Sequence, residues 1–206
     1  MTNAQTNLPP TGSISPNALS DVCLVYCTNR PYYHHFVDCL AATSALGCAV
    51  VGLLGCADVV LARNVSLTRA VATGRPYILM VDDDIVWTPE QAVRLVSHVR
   101  TTGRAASGCY VSKDRKIVAR RNGDYWQTGL GFFCFKAPNW GSPIYNSPLG
   151  KFHRFTHNGD NHYMGEDWAL SAMLKTDLLP IRVGHIKPTI LWPDEEDKLK
   201  EWIYGS

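Results

Sequence analysis

The chain has no C-x-x-C pair, no glycine-rich loop behind its first apolar run and no apolar stretch of the about 18 residues that a membrane helix needs. Each absence excludes something. Seven cysteines are present, an odd number in no zinc-ligand spacing. They lie mostly inside apolar stretches, which reads as buried, reduced thiols acting as small hydrophobes. Residues 1–20 lack the basic-then-apolar order of a secretory signal. They are rich in Asn, Thr, Ser and Pro, which marks a loose leader. With no anchor in sight, the expectation is a soluble, cytoplasmic protein, in the host cytoplasm if it is viral. The formal net charge of +2 names no partner by itself. No internal repeat and no linker divide the chain, so residues 21–206 form one domain. At 46% hydrophobic and 18% charged, it has the composition of a globular core.

What is there alternates. Val22 to Cys27 is a short apolar run read as the first strand, and Pro31 opens a helix stopped near Gly47. Ala49 to Leu54 is the second strand, Asn64 to Thr73 a helix ending at Gly74, and Tyr77 to Val81 the third strand. Strand–helix alternation argues for a parallel α/β half with right-handed crossovers. Thr88-Pro89-Glu90-Gln91 reads as an N-cap, a first-turn proline and a capping-box glutamine, followed by Ala92, Leu95, Val96 and Val99 at helical spacing. The second half changes character. Ser107–Val111, Ile117–Arg121, Tyr125–Thr128 and Leu130–Lys136 read as short strands, and residues 165–176 as a helix. Ile181–Val183 and Thr189–Trp192 read as final strands, and Asp194-Glu195-Glu196-Asp197 as a solvated acidic tail.

The densest chemistry is Ile78-Leu79-Met80-Val81-Asp82-Asp83-Asp84-Ile85, an apolar strand ending in three carboxylates. Open α/β sheets bind ligands at the carboxyl ends of their strands. Anions packed there repel one another unless a cation lies among them, so a divalent metal is the first inference. The bland alternative is a solvated strand end. The flanking strand and capped helix fix the position too well for that.

Other elements keep this run company. They are Ala62-Arg63-Asn64 read as preceding a helix, Gly129-Leu130-Gly131-Phe132-Phe133, Glu166-Asp167-Trp168 at a helix start, and His185 with Lys187. Together, from Val22 to Trp192, they resemble a glycosyltransferase of the GT-A fold. That resemblance implies an α/β, Rossmann-like mixed sheet whose parallel amino-terminal half is flanked by helices. It implies a Mn²⁺ or Mg²⁺ ion and a nucleotide-sugar donor, UDP-linked. By resemblance Asp84 binds the metal directly, Asp82 contacts the ribose or the metal through water, and His185 is a third ligand. Asp83 belongs to the same donor-side element as its spacer, the one whose loss matters least. Thr28-Asn29-Arg30 receives the nucleotide, Arg63 reaches it or its diphosphate, and Lys187 pairs with a phosphate oxygen. Asp167 takes the acceptor hydroxyl proton if the enzyme inverts configuration, with Glu166 positioning the acceptor. Residues 129–133 resemble the strand that faces the acceptor.

Each assignment has a plainer counterpart. Glu166 and Asp167 suit a helix start electrostatically, a lone histidine is usually a satisfied core residue, and Thr28, Arg30 and Arg63 suit turns and caps. His34 with His35, and His153, His157 and His162, invite a zinc reading, but no cysteine completes a tetrahedral set. The Asn158–Asn161 loop reads as turn chemistry and, with Trp126, Trp140 and Tyr163, as a cover for the acceptor site. Between Arg100 and Arg121 lie seven basic residues against Asp114 alone. A solvated face explains them; an anionic acceptor such as nucleic acid is the sharper reading. The acceptor class is therefore open among a glycan, a small molecule, a protein and a hydroxymethylated base in DNA. A nucleotidyltransferase is the runner-up enzyme, although Thr28-Asn29-Arg30-Pro31-Tyr32 lacks the glycine its triphosphate loop needs. A non-catalytic sugar- or nucleic-acid-binding module is the alternative of another class.

Overall fold

The computed structural model describes residues 14–137 apart from 57, the pairs 155–156 and 163–164, and residues 166–205 apart from 188 and 194. The first half runs β1 (Val22–Thr28), α1 (His34–Ser44), β2 (Ala49–Leu54), α2 (Val59–Ala72), β3 (Tyr77–Val81), β4 (Ile85–Val86) and α3 (Pro89–Thr102). Then come β5 (Ala106–Cys109), β6 (Ala119–Asn122), β7 (Tyr125–Thr128), β8 (Phe132–Lys136), β9 (Phe155–Thr156) and β10 (Tyr163–Met164). The chain closes with α4 (Glu166–Met173), β11 (Asp177–Arg182), β12 (Gly184–Lys187), β13 (Thr189–Leu191) and α5 (Glu196–Tyr204).

Six strands form the central sheet in the order β11-β5-β8-β3-β1-β2. β1 pairs in parallel with both β2 and β3, while β8 runs antiparallel to β3 and to β5. The architecture is thus α/β, a mixed sheet with a parallel amino-terminal half. Its core follows from period-two alternation. Leu24, Leu79, Val81, Phe132 and Cys134 face one side with Phe36 of α1 and Leu95, Val96 and Val99 of α3. Cys23, Val25, Ile78, Met80, Phe133 and Phe135 face the other with Leu67 and Ala70 of α2 and Leu170 of α4. Helices on both faces leave the strand ends as the place for chemistry. None of the seven cysteines is disulfide-bonded, and burial pushes the Cys109 thiol up to about 12.

Local signals explain the best-predicted element. Thr88 accepts from the Gln91 N–H while the Gln91 side chain accepts from the Thr88 N–H, and α3 stops at Gly103 with φ 71°. Four expectations need correction. Helix α1 begins at His34 rather than Pro31, because Thr28–Arg30 is first held in a turn by the Arg30 N–H donating to Thr28 Oγ1 at 3.2 Å. Helix α2 begins five residues before Asn64, capped by the Asp58 carboxylate accepting from the Leu61 N–H at 3.0 Å. Arg63 therefore lies inside the helix, not ahead of it. The supposed acidic tail begins α5, whose Leu199 and Ile203 are buried against Cys109 and Leu178. Leu19, inside the expected leader, is fully buried, and its N–H donates to the Leu46 carbonyl at 2.9 Å.

No described helix is long and apolar enough to cross a membrane.

Candidate functional site

The carboxyl end of β3 turns sharply. The Asp82 N–H donates to the Gly131 carbonyl at 3.0 Å, the Ile85 N–H to the Asp82 carbonyl at 3.1 Å, and the Ile186 N–H to the Asp84 carbonyl at 2.8 Å. These three bonds bind the aspartates to β8's approach, to their own turn and to β12. The turn fans the carboxylates in three directions.

Asp83 points toward β1. Thr28 donates its hydroxyl to Asp83 Oδ2, and Arg30 adds Nε at 3.1 Å and Nη2 at 2.6 Å. This is a bidentate guanidinium–carboxylate fork plus a hydroxyl. The bond to Asp83 raises the pKa of Arg30 further above its already high value, so the guanidinium is permanently charged. Asp83, expected to be a spacer, is thus held by Thr28 and Arg30.

Asp82 points toward α2, where Arg63 Nη2 lies 2.9 Å from its Oδ1. The other end of that guanidinium, Nη1, is 3.9 Å from Asp167 Oδ1 on α4. One buried arginine therefore joins the expected donor-side carboxylate to the expected base. Glu166 opens α4 immediately before Asp167, and Lys187 ends β12 two residues beyond His185. Their side chains lie outside the description.

Asp84 points toward β12. The two-residue strand β4 pairs antiparallel with β12, setting His185 opposite Ile85. His185 Nε2 then lies 3.4 Å from Asp84 Oδ2, and both side chains are only about a tenth exposed, at 11% and 10%. The other ring nitrogen, Nδ1, is 2.6 Å from the Val111 carbonyl. A carbonyl can only accept, so Nδ1 carries the proton. In a neutral imidazole Nε2 is then a lone pair facing a carboxylate lone pair. That juxtaposition is repulsive unless a proton or a metal cation lies between them. Arg30 Nη2, 3.1 Å from the same Asp84 oxygen, relieves part of the charge.

The donor set fits a divalent ion. An imidazole fixed in tautomer by a backbone carbonyl, beside a carboxylate, is a common half-shell for Mn²⁺, with water and phosphate oxygens completing it. Among the described residues no group of three His, Cys, Asp or Glu side chains is assembled. Asp82, the other expected ligand, is turned to Arg63 instead.

Between these directions lies a cleft of about 250 Å³ lined by Thr28, Arg30, Cys56, Arg63, Asp82 and Asp84, among others. Residues 129–133, expected to face an acceptor, serve the framework instead: Leu130, Phe132 and Phe133 are buried in the core. Gly131 lies so near Tyr110 that a Cβ there would stand 2.9 Å from the ring. Its N–H donates to the Tyr110 hydroxyl at 3.1 Å, and burial holds that phenol's pKa well above its ordinary value. Tyr110 also packs edge-on against His185, with centroids 5.4 Å apart. Sequence reasoning missed Tyr110. The G-x-G of Gly129 and Gly131, which marks close backbone approach, was the available signal.

Two of the seven basic residues are structural. Arg100 pairs with Asp21, and Arg104 lies 2.8 Å from Asp177. His153, His157 and His162, for which zinc was weighed and set aside, fall outside the described residues, as do the Asn158–Asn161 loop and Trp140. His34 and His35 begin α1, with ring centroids 3.8 Å apart.

No family model and no curated protein matches this chain. Among solved structures it is similar to A197 from STIV at 15% identity and a TM-score of 0.57, covering 84% of this chain and 94% of that one. At that identity the likeness is one of fold.

Proposed function

We propose that the chain is a metal-dependent glycosyltransferase of the GT-A type, moving a sugar from a nucleoside-diphosphate sugar, UDP-linked, to an acceptor hydroxyl. One observation carries the reading: Asp84 and His185, both buried, lie carboxylate to imidazole 3.4 Å apart at the carboxyl edge of a mixed α/β sheet. The site order supports it too, with two arginines and three aspartates lining one cleft and Asp167 3.9 Å from Arg63 behind it.

Asp84 and His185 would hold Mn²⁺ or Mg²⁺, which supplies Lewis-acid stabilisation to a diphosphate leaving group. The chain's own residues do the rest. Arg30, still partly exposed, presents fixed positive charge at the cleft mouth to phosphate oxygens. Arg63 holds Asp82 and reaches toward Asp167, so the donor and acceptor walls keep one spacing. Asp167, about a third exposed, would take the acceptor hydroxyl proton. Thr28 and Arg30 keep Asp83 out of the cation's way by saturating it.

The test is release of nucleoside diphosphate from a panel of nucleotide sugars with Mn²⁺, with and without chelator. The proposal expects chelator-sensitive release that Asp84→Ala abolishes. Chelator-insensitive release, or a fully active Asp84→Ala, contradicts it. Pyrophosphate released from a nucleoside triphosphate would make the chain a nucleotidyltransferase instead.

A further inference from the structure

The five basic residues that are not structural share one place. Val111 bridges to Ile117 around a tight turn in which the Ser112 N–H donates to the Lys116 carbonyl at 2.8 Å. The chain then runs into the β6–β7 ribbon, closed at Gly123 with φ 62°. Lys113, Arg115 and Lys116 occupy the turn, and Arg120 and Arg121 lie side by side on β6. All five are exposed, and none has an ion-pair partner among the described residues. Asp114 is the one acid between them. The whole chain carries only +2, so the remainder is net acidic and the positive field is concentrated here.

The shape narrows the partner. β7 is the anchored strand: the Trp126 N–H donates to the Thr176 carbonyl at 2.8 Å and the Thr128 N–H to Ser171 Oγ of α4 at 2.9 Å. β6 has no second strand partner among the described residues. Arg121 lies opposite Trp126 on the ladder and Arg120 opposite Gln127, so the two arginines leave opposite faces of the ribbon and the Arg120 face is the one turned away from Trp202. A duplex presents closely and regularly spaced phosphates along its axis, a linear array for a run of five cations. Of the exposed large apolar side chains of the molecule, none falls on residues 112–128, so nothing here inserts into lipid. The apolar side of the ribbon turns inward, with Trp126 against Trp202 at 5.0 Å.

The turn also abuts the candidate site. It hangs from Val111, whose carbonyl holds His185, and the ribbon's other strand is bonded to α4, which begins at Glu166-Asp167.

We infer that residues 112–122 form a docking surface for the phosphate backbone of duplex nucleic acid, the acceptor-bearing substrate of this site. The acceptor assignment rests on the transfer reaction proposed above; the docking does not. Five phosphate contacts give a slope of about −4 to −5 in log affinity against log salt.

The experiment is fluorescence anisotropy of a labelled DNA duplex with the full chain across a salt series. Anionic phospholipid vesicles and a sulfated polysaccharide serve as competitors. Mn²⁺-dependent nucleotide binding is measured on the same samples. Expected is duplex binding at low salt with that slope, and Arg120→Ala/Arg121→Ala weakening it at least about tenfold and flattening the slope by about 2. Nucleotide binding should stay unchanged. No duplex binding at low salt, an unaffected double variant, or vesicles or polysaccharide displacing the duplex at equivalent charge overturns the docking. Duplex binding with no nucleotide binding overturns the transfer reaction, and with it the acceptor assignment, while the docking surface stands.

Discussion

The two ends of one short turn, Asp83 and Asp84, meet opposite surroundings. Asp83 receives a hydroxyl and both arms of a guanidinium, so its charge is spent inside the protein. Asp84, the next residue, lies 3.4 Å from Nε2 of His185, whose Nδ1 donates to the Val111 carbonyl, and 3.1 Å from Arg30 Nη2. The first arrangement is complete without a ligand and holds β1 to β3. The second sets a carboxylate beside an imidazole, the donor pair of the proposed metal site. Adjacent acids of the same type thus divide into a latch and a receptor, and what divides them is which strand each one meets.

That contrast can be broken by substitution. The largest effect falls on the receptor: Asp84→Ala or His185→Ala should lower transfer by about 10³-fold or more in a nucleoside-diphosphate release assay, with little loss of thermal stability. A strongly destabilised Asp84→Ala with normal turnover would make it a second latch. Next, Asp167→Asn should cost about 10²-fold in turnover while donor affinity is kept. Donor affinity falling in step with turnover would place Asp167 on the donor instead.

The latch predicts the reverse pattern. Asp83→Ala removes the carboxylate that Arg30 and Thr28 share, leaving Arg30 on Asp84 and the Thr28 hydroxyl on the Arg30 carbonyl. Because Arg30 is 40% exposed, we discount the buried-pair cost to about 2 kcal/mol. For a chain of this size that lowers Tm by about 4–8 °C in a melting experiment. An unchanged Tm would return Asp83 to the role of spacer.

The smallest effect is a control far from the cleft. The Arg94 hydrogen bond holds the Glu196 carboxyl below its usual pKa. A lowered folded pKa contributes stability above the unfolded value, and this is lost as pH falls through the folded one. Both side chains are more than a third exposed, so α5 should loosen by no more than about 0.5 kcal/mol in acid, read from Trp202 fluorescence. Arg94→Ala should flatten that acid response; an equal response in the variant would assign it elsewhere.

Legibility followed the range of the interaction. The capping box of α3, the limits of β2 and β3 and the placement of three acids at a strand end all rest on neighbours within a few residues, and all were readable. Helix α2 began early because Asp58 is an N-cap followed by β-branched Val59 and Val60 and then Leu61, an apolar run that conceals a helix start. Helix α5 hid behind its four acids, although Leu199 and Ile203 stand at i and i+4. β4 and β12 are too short for any periodic signal, yet their pairing is what carries His185 to Asp84. Arg30 with Asp83 is likewise a contact across 53 positions that no local pattern encodes. Residue types were visible; partners were not.

The central claim is that Asp84 with His185, and not Asp83, receives a divalent cation. Mn²⁺ titration followed by electron paramagnetic resonance, with uridine diphosphate present, tests it on the full chain. The account predicts saturable Mn²⁺ uptake that Asp84→Asn and His185→Ala each abolish and that survives in folded Asp83→Asn. Uptake lost in Asp83→Asn but retained in Asp84→Asn would contradict it.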